Sequence, residues 1–353
     1  GERIQAYYEA RARGGAGLLI MGVCSVAFPA GTAEPFQVGV SSDDFIPGLS
    51  RLAERVHQHG AKIAMQLQHA GKTSVRDMAE GRQLWVPSVP PVLQSDMMAA
   101  LTPEELANFV SSMKRRAEGS PVRVMDSDDI TQMIDWFACA AERAQRAGFD
   151  GVELHAAHGY IIAGFLSGYY NQRADEYGGS LENRARLLLE IIAAVRARVG
   201  NDFALWLRLD AEELHTPGGI NLEDAKAVAR MAEAAGVDAV SVSASARITN
   251  GAVFTEAPLV HQPSGFIEWT SAIKRSVQVP VIAVGRIEPD AGEAALKRGD
   301  CDFIAMARKL LADPELPNKL LNDQESSIRP CIYCYVCVSQ IFINERVKCA
   351  VNP

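Results

Sequence analysis

The sequence lacks a long apolar run, an excess of basic residues, and cysteines spread in pairs along its length. No stretch of about 18 apolar residues occurs, so we expect no membrane-spanning helix. The formal net charge is -8, from 35 Lys and Arg against 43 Asp and Glu, which argues against a nucleic-acid partner. The charged stretch "GERIQAYYEARARGG" is unlike a secretory signal. Because Cys24, Cys139 and Cys301 are scattered singly, no secreted disulfide framework is predicted, and we expect a reducing, cytoplasmic compartment.

One short sequence pattern recurs along the chain: a charged, alanine-rich segment, then a glycine, then an apolar run. Glycine after a helix adopts the left-handed conformation that ends the helix. The apolar runs are short and lack polar alternation, which is typical of strands buried on both faces. The glycines are Gly15, Gly60, Gly148, Gly200, Gly236 and Gly299. A further apolar run, "VPVIAVG", contains Pro280 at its start instead of a preceding glycine. Together, the six repeats of the pattern and this run predict seven strands, near residues 17–22, 62–68, 151–158, 204–210, 239–244, 281–285 and 303–308.

Seven buried strands with helices between them, in 353 residues, predict an α/β fold of the (β/α)8 TIM-barrel type. Such a barrel needs eight strands, and the first element here is a helical pattern, "ERIQAYYEARA". We therefore expect that the first strand is missing from this chain. An open doubly wound sheet is the alternative, but the G-x-G-x-x-G fingerprint that often accompanies it is absent.

The interval between the second and third strands is long. It contains two helical patterns, "LTPEELANFVSSMKRRAEG" and "DSDDITQMIDWFACAAERAQRAG". Asp126 or Ser127 is a candidate N-cap of the second pattern, just as Ser180 is for the helix that follows "DEYGG". Because one helix suffices for a barrel repeat, residues 70–124 are predicted to be largely an excursion at the barrel mouth.

Polar residues directly follow the apolar runs, where a barrel places its catalytic groups. His155 and His158 are either structural residues at a strand–loop junction or two donors that polarise a substrate carbonyl. Tyr160 either packs or donates a proton. The last two strand ends are where barrels build phosphate sites, although an ion pair of Arg308 with Asp313 or another acid is the structural alternative. The strand-end residues are Gln66, Gln68, His69, His155, His158, Tyr160, Arg208, Asp210, Ser243, Ser245, Gly285, Arg286, Ala307 and Arg308.

Four of the seven cysteines lie in the last segment of the chain with the spacing C-x2-C-x2-C-x11-C. Three thiolates at this short interval, closed by a distant fourth, favour a [4Fe–4S] cluster. Structural zinc usually has two separated C-x2-C pairs and is the main alternative; disulfides or free thiols are a further one. The flanking Pro330 and Pro353 indicate a loop. The predicted ligands are Cys331, Cys334, Cys337 and Cys349.

The segment "ELHAAHGYIIAGFLSGYYNQRADEYGGSLENRAR" resembles the old yellow enzyme family of NADH:flavin oxidoreductases. Together with the cysteine spacing and "CAVNP", the chain is similar to the iron–sulfur subgroup that includes 2,4-dienoyl-CoA reductase and trimethylamine dehydrogenase. The resemblance covers nearly the whole chain. It implies FMN at the barrel mouth, with the flavin ring and phosphate held by Gln66, Arg208, Gly285, Arg286, Ala307 and Arg308.

The same resemblance implies a role for each remaining residue. His155 and His158 would grip a substrate carbonyl oxygen, Tyr160 would protonate the α-carbon, and the cluster would pass single electrons to FMN. Residues 1–325 would form the FMN-binding barrel, and residues 326–353 would form the cluster segment. The expected reaction is reduction of the C=C bond of an enone, enoate or enoyl thioester, a small-molecule substrate.

Two departures from the subgroup keep other functions open. The stretch 243–266 lacks the further histidine of dienoyl-CoA reductases, because His261 comes too late, and it lacks the tryptophans of amine dehydrogenases. An amine dehydrogenase or demethylase on the same scaffold and a non-catalytic barrel with a zinc knuckle are the alternatives. The FAD and NAD(P)H domains of the subgroup are expected to be absent here. NAD(P)H electrons would then arrive through C-terminal domains outside this chain or a separate donor protein; homo-oligomers are compatible with the sequence.

Overall fold

A curled parallel sheet of eight strands lies at the centre of the molecule. The computed structural model describes residues 1–34, 36–91, 102–104, 121–246, 262–342 and 345–352. Neighbouring strands in this sheet all run parallel. In their order across the sheet, the strands are β10 (Phe303–Ile304), β9 (Val281–Ala283), β8 (Ala239–Ala246), β7 (Ala204–Leu214), β6 (Gly151–Ala156), β3 (Lys62–Gln68), β1 (Leu18–Ser25) and β2 (Val38–Gly39).

Helices cover the outside of this sheet, with α1 against α2 and α4 against α6. A separate two-stranded parallel sheet pairs β4 (Leu84–Val86) with β5 (Val122–Val124). The helices are α1 (Glu2–Arg13), α2 (Ile46–His57), α3 (Val75–Glu80), α4 (Ser127–Arg146), α5 (Ile161–Leu166), α6 (Leu181–Val199), α7 (Leu222–Ala234), α8 (Ile267–Lys274), α9 (Pro289–Arg298), α10 (Arg308–Ala312), α11 (Leu316–Leu321) and α12 (Val336–Phe342). Short 3-10 helices span Asp43–Phe45, Gly71–Thr73 and Glu325–Ser327. None of these helices, within the described residues, combines the length and apolar character needed to cross a membrane.

The α/β barrel architecture predicted from the sequence is confirmed, and each of the seven predicted strands is present. All six junction glycines have positive φ. Glycine adopts this backbone conformation more readily than other residues, which explains why glycine occupies these positions after the helices. The eighth strand of the sheet is β2, which the sequence did not predict. It lies beside β1 at one edge, and within the described residues it is not hydrogen-bonded to β10 at the other edge.

Side chains along each strand alternate between the helix layer and the barrel interior, because a strand has a period of two residues. On β3, for example, Ile63, Met65 and Leu67 pack into the large core beneath the helices. Ala64, which lies between them, belongs instead to a small interior cluster that fills the barrel centre. The other members of that cluster are Ile20, Ala204, Trp206, Ala239, Ile282 and Ala305.

Two regions differ from the sequence prediction or lie beyond the described residues. The helix expected over residues 101–119 falls largely outside the described residues, and so does His261. The C-terminal segment is mostly irregular, as its prolines indicated. Helix α12, however, begins at Val336 and includes Cys337, so the third cysteine lies in a helical turn rather than a loop.

Helix α4 begins with a capping box, which confirms Asp126 as its N-cap. The Asp126 side chain accepts from the Asp129 N–H at 2.9 Å, and the Asp129 side chain accepts from the Asp126 N–H at 3.3 Å. Replacing Asp126 with Ala should destabilise the protein by about 1 kcal/mol, since the Asp129 N–H at the helix end loses its acceptor. Urea unfolding measures this, with the exposed Asp128→Ala in the same turn as the matched control. Equal losses in both variants would contradict the assignment.

Candidate functional site

The alternation of strands β6, β7 and β8 points one set of residues from each strand into the barrel. Leu154 of β6, Leu207 of β7 and Val242 of β8 pack outward into the helix-side core. The residues that alternate with them therefore face the interior, and the later ones lie toward the carboxyl ends of the strands, where a barrel places its site. These interior residues are Glu153, His155, Trp206, Arg208, Asp210, Ser241 and Ser243.

A buried carboxylate forms the floor of this site. Glu153 accepts from Gln66 Nε2 at 2.5 Å and from Trp206 Nε1 at 2.6 Å. Burial raises the pKa of Glu153, while the nearby charge of Arg208 and the two hydrogen bonds oppose the rise. The side chain of Gln66 is thereby fixed at the mouth. Glu153 was not singled out from the sequence, although a carboxylate inside the apolar run "GVELH" was an available signal.

Three aromatic side chains meet above this floor. The rings of His155 and His158 lie 5.0 Å apart, and those of His155 and Tyr160 lie 4.7 Å apart and nearly perpendicular. His155 Nδ1 accepts from the Ala157 N–H at 3.3 Å, so in the neutral ring Nε2 carries the proton. The structure thus brings together the three residues that the sequence singled out at the end of the third predicted strand.

The turn after β6 directs His158 toward the neighbouring strands. His158 has φ of 60°, a left-handed conformation that is uncommon outside glycine and recurs at functional sites. Its backbone N–H donates to Asp210 Oδ2 at 2.7 Å, and its Nε2 is 2.8 Å from the Ser243 hydroxyl. Three adjacent strand ends therefore position one imidazole.

The enclosed setting keeps both imidazoles uncharged. Burial lowers the pKa of His158 to about 3, with Arg208 adding to the effect. Burial likewise lowers the pKa of His155 well below its usual range, helped by His158 and Arg208. At neutral pH the pair therefore offers neutral N–H groups. The ring of His69, by contrast, stacks on the ring of Trp136 in the core, with the ring centres 6.0 Å apart. Burial lowers the pKa of His69 to about 4.

Lys72 is a site residue that the sequence gave no signal for. Its Nζ donates to the Gly159 carbonyl at 2.8 Å and lies 4.1 Å from the centre of the Tyr170 ring. Burial lowers the pKa of Lys72 to about 8, against the attraction of Glu213 and Asp210. The ammonium group thus closes the turn that carries His158 and Tyr160 and borders a pocket of about 240 Å³ beside Tyr160.

Basic residues converge at the ends of the last two strands. Gly285 has φ of 102°, and a Cβ there would lie 2.6 Å from the Phe266 ring, so only glycine fits. The guanidinium carbons of Arg286 and Arg308 lie 4.4 Å and 5.2 Å from the centre of the Tyr333 ring. Ala307 precedes Arg308 at the start of α10. Asp313, the alternative partner for Arg308, instead accepts from Lys319 Nζ at 2.7 Å and from the Arg329 N–H at 2.8 Å.

Two observations at the barrel mouth suit a bound group with polar edges. Arg208 Nε is buried and, among the described residues, has no hydrogen-bond partner, so it has a donor left for a bound group. Gly22 on β1 is exposed, and a Cβ there would be 3.8 Å from Gln66 Oε1, so open space adjoins the Gln66 amide. The donor set of amide and guanidinium matches the carbonyl and nitrogen edge of a flavin.

The four C-terminal cysteines line one pocket of about 300 Å³, together with Arg308 and Tyr333. All four are free thiols. Within the described part of the chain, no three His, Cys, Asp or Glu residues converge closely enough to bind a single metal ion. Four thiolates on one zinc stand about 4 Å apart, whereas those on the corners of a cubane stand further apart.

The fold and the site define a parallel α/β barrel with polar groups at the carboxyl ends of its strands. The chain belongs to the NADH:flavin oxidoreductase / NADH oxidase family, whose model matches residues 1–326. It is 38% identical over 360 residues to an NADH oxidase of Thermoanaerobacter brockii, covering 100% of this chain and 50% of the relative. It is 34% identical to the N,N-dimethylglycine/sarcosine dehydrogenase of Chromohalobacter salexigens, covering 99% of this chain and 48% of the relative. It is 32% identical to the cinnamate reductase of Clostridium sporogenes, covering 98% of this chain and 51% of the relative. The chain thus spans about half the length of these relatives.

Solved structures give the same relationship. A complex of 2-naphthoyl-CoA reductase with 2-naphthoyl-CoA superposes with a TM-score of 0.85 at 30% identity, covering 100% of this chain and 52% of that one. The old yellow enzyme homologue from Zymomonas mobilis superposes with a TM-score of 0.71 at 25% identity, covering 93% and 85%. The resemblance to the old yellow enzyme family and the TIM-barrel fold expected from the sequence are thereby confirmed.

The buried carboxyl group of Asp210 should make stability depend on pH. Burial raises its pKa from 3.8 to about 7, so the folded protein binds a proton that the unfolded chain releases. This contribution to stability is complete below about pH 4 and is lost as pH rises through about 7, at most about 4 kcal/mol. Asp210→Asn should lack that loss in urea unfolding measured from pH 4 to 8. The exposed Asp202→Asn is the control, and parallel pH profiles for wild type and Asp210→Asn would contradict the assignment.

Proposed function

We propose that this chain is the FMN-binding barrel and [4Fe–4S] segment of an oxidoreductase that reduces the C=C bond of an α,β-unsaturated carbonyl compound. The observation that carries the proposal is the neutral pair His155 and His158 beside Tyr160 at the mouth of the barrel. Residues 1–325 form the barrel in this proposal, and residues 326–353 bind the cluster. NAD(P)H is the proposed source of electrons, delivered by an FAD-containing region or a donor protein outside this chain.

The proposed FMN site uses both ends of the mouth. Gln66, fixed by Glu153, and Arg208, with its spare Nε donor, would hold the edge of the flavin ring. The flavin phosphate would lie at the last two strand ends, held by Gly285, Arg286, Ala307 and Arg308. FMN, when bound there, supplies a hydride to the β-carbon of the substrate.

The remaining steps belong to the side chains of the barrel. His155 donates its Nε2–H to the substrate carbonyl oxygen, and His158 donates a second hydrogen bond when that oxygen replaces the Ser243 hydroxyl as its partner. These preorganised neutral donors stabilise the negative charge that develops on the oxygen. Tyr160 gives its phenolic proton to the α-carbon. Lys72, through the Gly159 carbonyl, positions the turn that holds Tyr160 and His158.

The chemistry of the donor pair favours a carbonyl substrate over an amine. Two neutral N–H groups stabilise an oxygen that gains negative charge, whereas oxidation of an amine develops positive charge on its nitrogen, which these donors do not stabilise. The cinnamate reductase relative and the 2-naphthoyl-CoA reductase structure support this class by name. The dimethylglycine/sarcosine dehydrogenase relative supports the alternative, oxidation of an amine, by name. Reduction of the bound flavin by a secondary or tertiary amine would favour that alternative.

The role of Tyr160 is testable in a single half-reaction. When the reduced protein is mixed anaerobically with an enone, Tyr160→Phe should slow reoxidation of the flavin by about 10²–10⁴-fold, because the proton donor to the α-carbon is gone. Stopped-flow absorbance measures the rate, and Tyr169→Phe in the following segment is the matched control. His155→Ala should also slow the step, since one donor to the oxygen is lost. Unchanged rates in both Tyr160→Phe and His155→Ala would overturn the proposed roles.

A further inference from the structure

Tyr333 lies between the first two cysteines of the C-terminal segment, and its surroundings are unusual for a loop residue. Its side chain is buried, with 7% of the residue exposed. Its φ is 51°, in the left-handed region, and Tyr335 has φ of 65°. Tyrosine resists this conformation, and it persists only where surrounding contacts impose it.

Those contacts come from the basic residues at the last strand ends. Three cationic groups lie within 6 Å of the centre of the Tyr333 ring: Arg286 at 4.4 Å, Arg308 at 5.2 Å and Lys309 at 5.3 Å. Cations at this distance are attracted to the face of an aromatic ring. The ring therefore holds both guanidinium groups that the proposed function assigns to the flavin phosphate.

A single carboxylate anchors the same cluster of side chains. The Tyr333 hydroxyl donates to Glu288 Oε1 at 2.9 Å, and Lys309 Nζ forms an ion pair with Glu288 Oε2. Arg308 also lines the pocket of the four cysteines, so one residue borders both sites.

We propose that Tyr333 couples the two cofactor sites: occupancy of the cysteine pocket by an iron–sulfur cluster strengthens FMN binding through the stack of Arg286 and Arg308 on the Tyr333 ring. The proposal rests on the proposed function, which assigns FMN and the cluster to these sites.

The physical basis is thermodynamic linkage. Four thiolates bound to one cluster hold residues 331–337 in a single conformation, which places the Tyr333 ring against the guanidinium groups. Those groups are then preorganised for a phosphate, so FMN need not order them on binding. Without the cluster, only the contacts with Glu288 and the basic residues oppose relaxation of the strained backbone at Tyr333 and Tyr335, so the ring spends less time against the guanidinium groups. Linkage is reciprocal, so bound FMN should in turn retain the cluster.

The test compares FMN affinity with and without the cluster. The FMN dissociation constant is measured anaerobically by quenching of flavin fluorescence, before and after iron and sulfide are removed, and iron content is assayed in every sample. Wild type should bind FMN about fivefold tighter, or more, with the cluster loaded. Glycine at position 333 adopts φ of 51° without strain but has no ring. In Tyr333→Gly, the ratio of the FMN dissociation constant without the cluster to that with the cluster should therefore fall to about one, at unchanged iron content.

Two further variants separate the ring from other causes. Tyr333→Phe keeps the ring and loses only the hydrogen bond to Glu288, so it should retain most of the ratio. Ile332→Gly adds the same freedom to the loop at an exposed neighbour and should keep the ratio. A wild-type ratio of one, or an undiminished ratio in Tyr333→Gly, would overturn the coupling while leaving the proposed function intact. A wild-type protein that binds FMN but no iron would sink the proposed cluster together with the coupling.

Discussion

The period-two geometry of parallel strands is the constraint on which the rest of this molecule depends. Each strand sends alternate side chains outward, where Leu154, Leu207 and Val242 are buried against helices. The intervening positions must face the interior. Apolar residues such as Trp206 and Ala239 fill the lower part of the barrel. Toward the carboxyl ends the interior residues become polar, and the floor formed by Glu153 separates the packed part from the site.

The enclosed interior determines the charge state of that site. Taking an imidazole away from water disfavours its charged form, and the adjacent guanidinium of Arg208 disfavours it further. Two neutral imidazoles and a phenol therefore lie beside a fixed positive charge. The two imidazoles and the phenol can stabilise negative charge on a substrate oxygen and deliver one proton, without a charged imidazolium at the reacting atom.

The large elements could be predicted because their determinants are local. A glycine with positive φ after a helix and an apolar run after it identified every long strand. Strands β2, β4 and β5 have only two or three residues each and do not follow the pattern of a glycine and an apolar run, so the sequence does not predict them. Strand β10 is shorter than predicted, because the chain leaves the sheet after Ile304 and turns into α10 at Arg308.

The site could be predicted in outline, since strand ends converge in a barrel whatever their spacing in sequence. His155, His158 and Tyr160 are close in sequence and were found together. The contributions of Lys72 and Tyr333 depend on where a turn and a loop direct one side chain. Lys72 reaches Gly159 across 87 positions, and Tyr333 reaches Glu288 across 45. No local pattern encodes such contacts.

We propose that the barrel mouth binds one flavin and that the terminal cysteines bind an iron–sulfur cluster. The most direct measurement is the visible spectrum of anaerobically purified protein together with its flavin, iron, sulfide and zinc content. We expect a flavin spectrum over a broad cluster absorbance, with one FMN, about four iron and about four sulfide per chain. A colourless protein with one zinc per chain and no flavin would contradict it.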